Sequence, residues 1–182
     1  GRISQGESVL VTGAGGGVGI HAIQVAKALG ARVIAATRSP EKAEVIRKAG
    51  ADDLIIYREG FSEEVRKLTD GEGVDLIVET VGGPTLEQSL RSAKRGGRIV
   101  VIGNVDPKPQ GVLLGLIILR EIHIHGVLNS THTELREAID MIKRGLVKPV
   151  INTIDLSEES VRKSHQDLER GGSIGRYVIT PK

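Results

Sequence analysis

Short apolar runs alternate with amphipathic stretches along most of the chain. Val9, Leu10 and Val11 form an aliphatic run without polar alternation, the pattern of a strand buried on both faces. Ile20, Ile23, Val25, Ala26 and Leu29 then recur at helical spacing, and Gly30 stops that helix. The cycle repeats. Arg32–Thr37 (RVIAAT), Asp53–Tyr57, Val74–Glu79 (VDLIVE), Arg98–Ile102 (RIVVI) and Ile122–Gly126 (IHIHG) predict the second to sixth strands. Between them, Ser39 as N-cap and Pro40 at the first helical position open a helix to about Ala49. Ser62–Thr69 forms the next helix, and Gly82-Gly83-Pro84 turns into one over Thr85–Ala93. Thr131 with Glu134 makes a capping box for a helix ending at Arg144. Gly103–Gly111 reads as a proline-bearing loop, followed by the apolar run Val112–Leu119.

Strands alternating with helices every 20–25 residues or so predict an α/β fold, a doubly wound, six-stranded parallel (Rossmann) sheet with helices on both faces. Such a sheet binds ligands at the carboxyl ends of its strands, where the strand order reverses. The sheet is complete by about residue 145. A strand over Val150–Leu156, a helix capped by Ser157 and running to about Arg170, and a strand over Arg176–Thr180 are surplus to it. Residues 1–146 are therefore read as a dinucleotide-binding domain, and residues 147–182 as part of something else.

Gly13, Gly15, Gly16, Gly17 and Gly19 crowd the junction of the first strand and first helix. A helix N-terminus presents unpaired N–H groups with partial positive charge, and missing side chains let a pyrophosphate approach them. A strict G-x-G-x-x-G is absent: the register ending on Gly19 reads Ala14, Gly16, Gly19, and the spacing present is Gly13-x-x-Gly16-x-x-Gly19. Ala14, Gly15, Gly16, Gly17, Val18 and Gly19 are the expected pyrophosphate cradle. The alternative is a turn that needs positive φ and holds nothing.

Composition narrows the picture. The 182 residues suit one domain, or one plus a fragment. A net charge of +2 gives no case for nucleic acid or a membrane surface, and three aromatic residues give no stacking platform for bases. Without cysteine there is neither a disulfide scaffold nor a cysteine-ligated zinc in this chain. Few Asn and Met beside many Lys, Arg and Glu lean toward a thermophile. No run is long enough to span a membrane and no leader is visible, so the cytoplasm is the expected compartment. The chain opens on Gly1 a few residues before its first strand, as an excised piece would.

A site built for NAD carries Asp or Glu about 20 residues past the glycines. Thr37, Arg38 and Ser39 stand there instead, a set that suits a 2′-phosphate and predicts NADP over NAD. Arg38 lying over the adenine ring of either cofactor is the alternative. Thr80, Val81 and Gly82 follow the fourth strand, near the expected ribose, and Gly103 and Asn104 follow the fifth; Asn104 reads equally as a turn residue. Gly126, Val127 and Leu128 follow the sixth. His123 and His125 share a strand face, but no third ligand accompanies them and no metal is expected. His21 is expected to pack or lie at the surface, and His132 and His165 to be exposed.

The stretch GESVLVTGAGGGVGIHAIQVAKALGARVIAATRS, with VDLIVETVGG, GGRIVVIG and the ending GSIGRYVITPK, resembles the medium-chain dehydrogenase/reductase superfamily, and more narrowly its quinone oxidoreductase and enoyl reductase-like members. The resemblance implies a cofactor-binding half whose GroES-like catalytic domain lies in preceding sequence and takes back the residues from Val147 onward. Zinc, where used, would be ligated by that missing domain and not by this chain. Lys42 and Tyr57 match positions that contact the 2′-phosphate, with a solvated helix lysine as the alternative for Lys42. The backbone at Gly126, Val127 and Leu128 would meet the nicotinamide amide, and the sixth strand's edge would pair with its twin in a homodimer. The whole enzyme would move hydride between NADPH and an activated alkene or carbonyl of a small-molecule substrate; the isolated chain would bind cofactor without turnover. Two other readings stay open: the cofactor domain of a zinc-dependent alcohol dehydrogenase, and a non-catalytic nucleotide sensor, which would ordinarily keep an acidic residue after the second strand. A Tyr-x-x-x-Lys pair is absent, since Tyr57 is followed by Phe61 and Tyr177 by Pro181.

Overall fold

The computed structural model describes residues 1–181. Six strands form one parallel sheet: β1 (Ser8–Val11), β2 (Arg32–Thr37), β3 (Asp53–Ile56), β4 (Val74–Glu79), β5 (Ala93–Val101) and β6 (His123–Gly126), in the order β3-β2-β1-β4-β5-β6. The order reverses between β1 and β4, so both the crevice and the glycine turn after β1 lie at the switch point.

The aliphatic run of β1 is buried on both faces because its side chains alternate. Leu10 packs with Ile34, Ile77 and Ile99 and with Val65 of α3 (Ser62–Leu68) and Leu90 of α4 (Gly83–Ser92). Val9 and Val11 face the other way, onto Ile20, Ile23 and Ala26 of α1 (Gly17–Ala28) and Ile46 of α2 (Ala43–Lys48). Each such burial contributes about 1.5–3 kcal/mol.

Local differences from the sequence reading have physical causes. Ser39 makes no side-chain capping bond; its N–H donates to Thr37 Oγ1 (3.1 Å), and the expected helix splits into a 3₁₀ turn over Pro40–Lys42 and then α2. The run at Val112–Leu119 becomes α5 (Leu114–Arg120), which lays Leu116 and Ile117 on the core. β5 begins at Ala93, extended by an irregularity in its pairing between Val74 and Leu76. Helix α6 (His132–Lys143) has the capping box, with Thr131 N–H donating to Glu134 Oε2 (2.7 Å) and Glu134 N–H to Thr131 Oγ1 (3.2 Å). None of its residues is buried, and Leu135 is 52% exposed. Among the described residues, no helix is long and apolar enough to cross a membrane.

The surplus strands form a sheet of their own. β7 (Ile151–Asp155) and β8 (Arg176–Thr180) pair in parallel across α7 (Glu158–Glu169). This unit is fastened to α1. Gln24 Nε2 donates to Lys148 O (3.0 Å) while Gln24 Oε1 accepts from Lys148 N–H (2.6 Å). His21 accepts the Val150 N–H at Nε2 (3.0 Å), which leaves Nδ1 to donate to Gly17 O (2.6 Å). His21 is therefore neither plain packing nor surface; it bridges two segments. Replacing Gln24 with Leu keeps volume but orphans two backbone groups, and should cost about 1–3 kcal/mol. Hydrogen exchange is expected to quicken at residues 148–150 and along β7 and β8 while the main sheet keeps its protection; uniform change across the chain would count against a local fastening.

Candidate functional site

The glycine turn separates into three physical jobs. Gly13 sits at φ +55°, and a Cβ there would collide with Thr80 Oγ1. Gly16 is the N-cap of α1 at φ −78°, ψ 172°, with no side-chain cap and no acidic residue in the first turn. No side chain therefore caps the leading N–H groups of α1 or offsets their partial positive charge from within the helix. Gly19 is buried where a Cβ would collide with Gly13 O and stand 2.8 Å from Ala14 Cα, so the helix closes tightly onto the turn. Ala14 is fully buried and its N–H donates to Ala36 O (3.2 Å), tying the turn to β2.

Beside the turn opens a cleft of about 530 Å³. Gly13, Gly15 and Gly16 line it from the turn, Thr37, Arg38 and Ser39 from the end of β2, and Lys42 and Tyr57 from the next elements. Thr80 and Val81 reach it from β4. Among the described residues, the cleft lining carries cationic Arg38, Lys42 and Arg170 and no carboxylate. Burial pushes the Tyr57 phenol above its ordinary range, so it is a neutral O–H donor at neutral pH; the ring stands edge-on to Phe61 at 5.0 Å.

Lys42 is not a solvated helix lysine. Only 6% exposed, it runs beneath Gly15, and its Nζ donates to Gly171 O (2.5 Å) and Ser173 O (2.7 Å). Burial also pushes its amine below the ordinary lysine value. Its partners lie 129 and 131 residues further on, beyond any local pattern. The same contact brings Arg170, Gly171 and Ser173 to the cleft, and Val105 joins from the loop after β5; the sequence reading had none of these four in the site.

The remaining candidates sit elsewhere. Gly17 is covered by Gly175 O and the Arg176 guanidinium, because the C-terminal segment crosses the start of α1, and Val18 follows it, partly exposed. Gly82 (φ +84°) packs against Gly103 and Asn104, and Asn104 Oδ1 accepts the Gly83 N–H (3.1 Å), a turn-fastening role. Gly126, Val127 and Leu128 are exposed at the end of β6, outside the cleft. Val127 N–H donates to Val101 O (3.1 Å), and Leu128 is 89% exposed. His123 and His125 stack at 6.3 Å on the exposed β6 edge. Among the described residues, no group of three or more His, Cys, Asp or Glu is placed to hold a metal.

A family model described as zinc-binding dehydrogenase matches residues 17–144, which include α1, all the sheet from β2 onward and most of the cleft. The chain belongs to the zinc-binding dehydrogenase family. Within the medium-chain dehydrogenase/reductase superfamily, that match is to the cofactor-binding domain. The chain is 44% identical to an acryloyl-coenzyme A reductase of Sulfurisphaera tokodaii over its full length, covering 53% of that relative, and 43% identical to one of Metallosphaera sedula over 98% of its length, covering 52%. Among solved structures, the Escherichia coli quinone oxidoreductase complexed with NADPH superposes with a TM-score of 0.86 at 31% identity, across 99% of this chain and 59% of that one. This zinc-binding dehydrogenase domain thus spans about half the length of the curated relatives it matches.

Proposed function

We propose that this chain is the NADPH-binding part of an oxidoreductase that reduces an activated alkene, with an α,β-unsaturated acyl thioester as the favoured substrate class. One observation carries the cofactor assignment: among the described residues, the cleft beside the glycine turn is lined by cations and by no carboxylate at the end of β2. A 2′-phosphate gains charge-assisted hydrogen bonds there, whereas a carboxylate would repel it. The NADPH complex of the quinone oxidoreductase and the names of the two archaeal relatives support the reading.

Strand order supports the following layout. The 2′-phosphate end falls to Arg38, Ser39, Lys42 and Tyr57 beyond β2, and the pyrophosphate to Ala14 through Gly19. The nicotinamide half falls to Thr80, Val81, Gly82, Gly103, Asn104 and the Gly126–Leu128 backbone across β4, β5 and β6. The bound nicotinamide would supply hydride chemistry; these residues bind and orient it. Residues 147–182 are assigned to the catalytic domain as its returning segment, and the β6 edge to a homodimer. Zinc, if the whole enzyme uses it, is assigned to ligands outside this chain.

Calorimetric titration of the chain with NADPH and NADH tests this. NADPH should bind at least about tenfold more tightly, roughly the worth of one charge-assisted hydrogen bond. Equal affinities would overturn the NADP assignment, and no binding of either would overturn the whole reading.

A further inference from the structure

We propose that Glu79 is a positioning residue for the nicotinamide half of the cofactor, acting through the Thr80–Gly82 turn. The inference rests on the cofactor reading above. Glu79 is fully buried at the end of β4, and its five hydrogen-bond donors among the described residues are hydroxyls and backbone N–H groups. Its Oε1 accepts from Thr12 Oγ1 (2.7 Å), Val81 N–H (2.9 Å), Gly82 N–H (2.9 Å) and Thr85 Oγ1 (2.7 Å), and its Oε2 from Ser89 Oγ (2.5 Å). One carboxylate therefore gathers the end of β1, the turn after β4 and the first half of α4.

The web continues to the cleft surface. Thr12 Oγ1, held by Glu79, accepts the Thr80 N–H (3.0 Å), and Thr80 Oγ1 donates to Thr12 O (2.8 Å). The Glu79 carbonyl accepts the Ile102 N–H (2.9 Å), joining the end of β5. Thr80 and Val81 then line the cleft directly. Gly82 holds φ +84°, a conformation open to glycine, and its N–H is one of the four donors on Oε1. A buried acceptor shared by two adjacent turn N–H groups fixes that turn more firmly than packing alone.

Strand order separates this end of the site from the other. The 2′-phosphate residues follow β2 and β3, on the far side of β1 from the Glu79 turn. Loss of Glu79 should therefore weaken the whole cofactor and spare a ligand that occupies only the adenosine end.

The test uses the full chain, with NADPH and adenosine 2′,5′-bisphosphate as separate probes. Glu79→Met keeps the shape and removes the acceptor. NADPH should bind about 20-fold more weakly, since buried donors are left unpaired, while the bisphosphate stays within about twofold. Glu79→Gln should rescue NADPH to within about threefold, because its amide oxygen still accepts the two N–H groups. The two threonine hydroxyls then fall back on carbonyls already near them, Val78 O (3.4 Å) and Gly82 O (3.2 Å). Should Glu79→Met not fold, Glu79→Asp carries the test: it withdraws the carboxylate by one carbon and should show the same split at about fivefold. NADPH binding at wild-type strength in Glu79→Met or Glu79→Asp overturns the proposal, as does equal loss of both probes. A wild-type chain that ignores the bisphosphate would instead sink the cofactor reading itself.

Discussion

Gly16→Ala is expected to fold with near wild-type stability and to bind NADPH about 100-fold more weakly, whereas Gly19→Ala should lose both stability and binding. At Gly16 the backbone is φ −78°, ψ 172°, open to any residue, and a Cβ would lie 3.3 Å from Gly13 O. The turn accommodates that by a few tenths of an ångström, for a stability change within about 0.5 kcal/mol. The methyl would, however, stand on the wall where the proposed pyrophosphate approaches the N–H groups of α1. At Gly19 the Cβ meets Gly13 O and Ala14 Cα, which are backbone atoms unable to swing aside. Overpacking of this kind costs about 1–3 kcal/mol, or about 2–12 °C in Tm for a chain of this size. Calorimetry gives both quantities for both variants. Wild-type NADPH affinity in Gly16→Ala would show that the pyrophosphate does not lie on this turn.

The Arg38→Ala, Ser39→Ala double variant should weaken NADPH by about 30–100-fold and leave NADH within about threefold. Two charge-assisted bonds to a phosphate are worth about 1.5–3 kcal/mol each, discounted here because Arg38 is exposed. Ser39 suits the role because its hydroxyl is not spent on capping a helix. Lys42 and Tyr57 remain in the variant, so affinity should fall and not vanish. The stacking alternative for Arg38 makes a different prediction: removal would weaken NADPH and NADH equally. Competition titrations with both cofactors decide between them.

The glycine turn, the absence of a carboxylate after β2 and the six-strand rhythm were legible because each depends on residues close in sequence. A strand needs an apolar run, a helix needs its 3.6 period, and a phosphate turn needs glycines between them. The 3₁₀ turn at Pro40–Lys42 was not legible, because Ser39 N–H chooses Thr37 Oγ1 over the capping geometry. Helix α5 was hidden in an apolar run with no periodic polar face. Arg170 and Ser173 belong to the site only because Lys42 reaches across to the Gly171 and Ser173 carbonyls. Glu79 looked like the polar end of a strand; its five donors come from residues 2 to 67 positions away.

Taken alone, the sequence determined the strand and helix order, the burial of β1 on both faces and the place of the glycine turn, since periodicity and backbone freedom are local properties. Only the tertiary structure decided that Lys42 is tied to the C-terminal segment, that Arg170, Gly171 and Ser173 wall the cleft, and that a buried carboxylate holds the turn after β4. The Lys42 contacts and the Thr12–Glu79 bond join groups far apart in the chain, and burial raises the cost of leaving any of them unpaired.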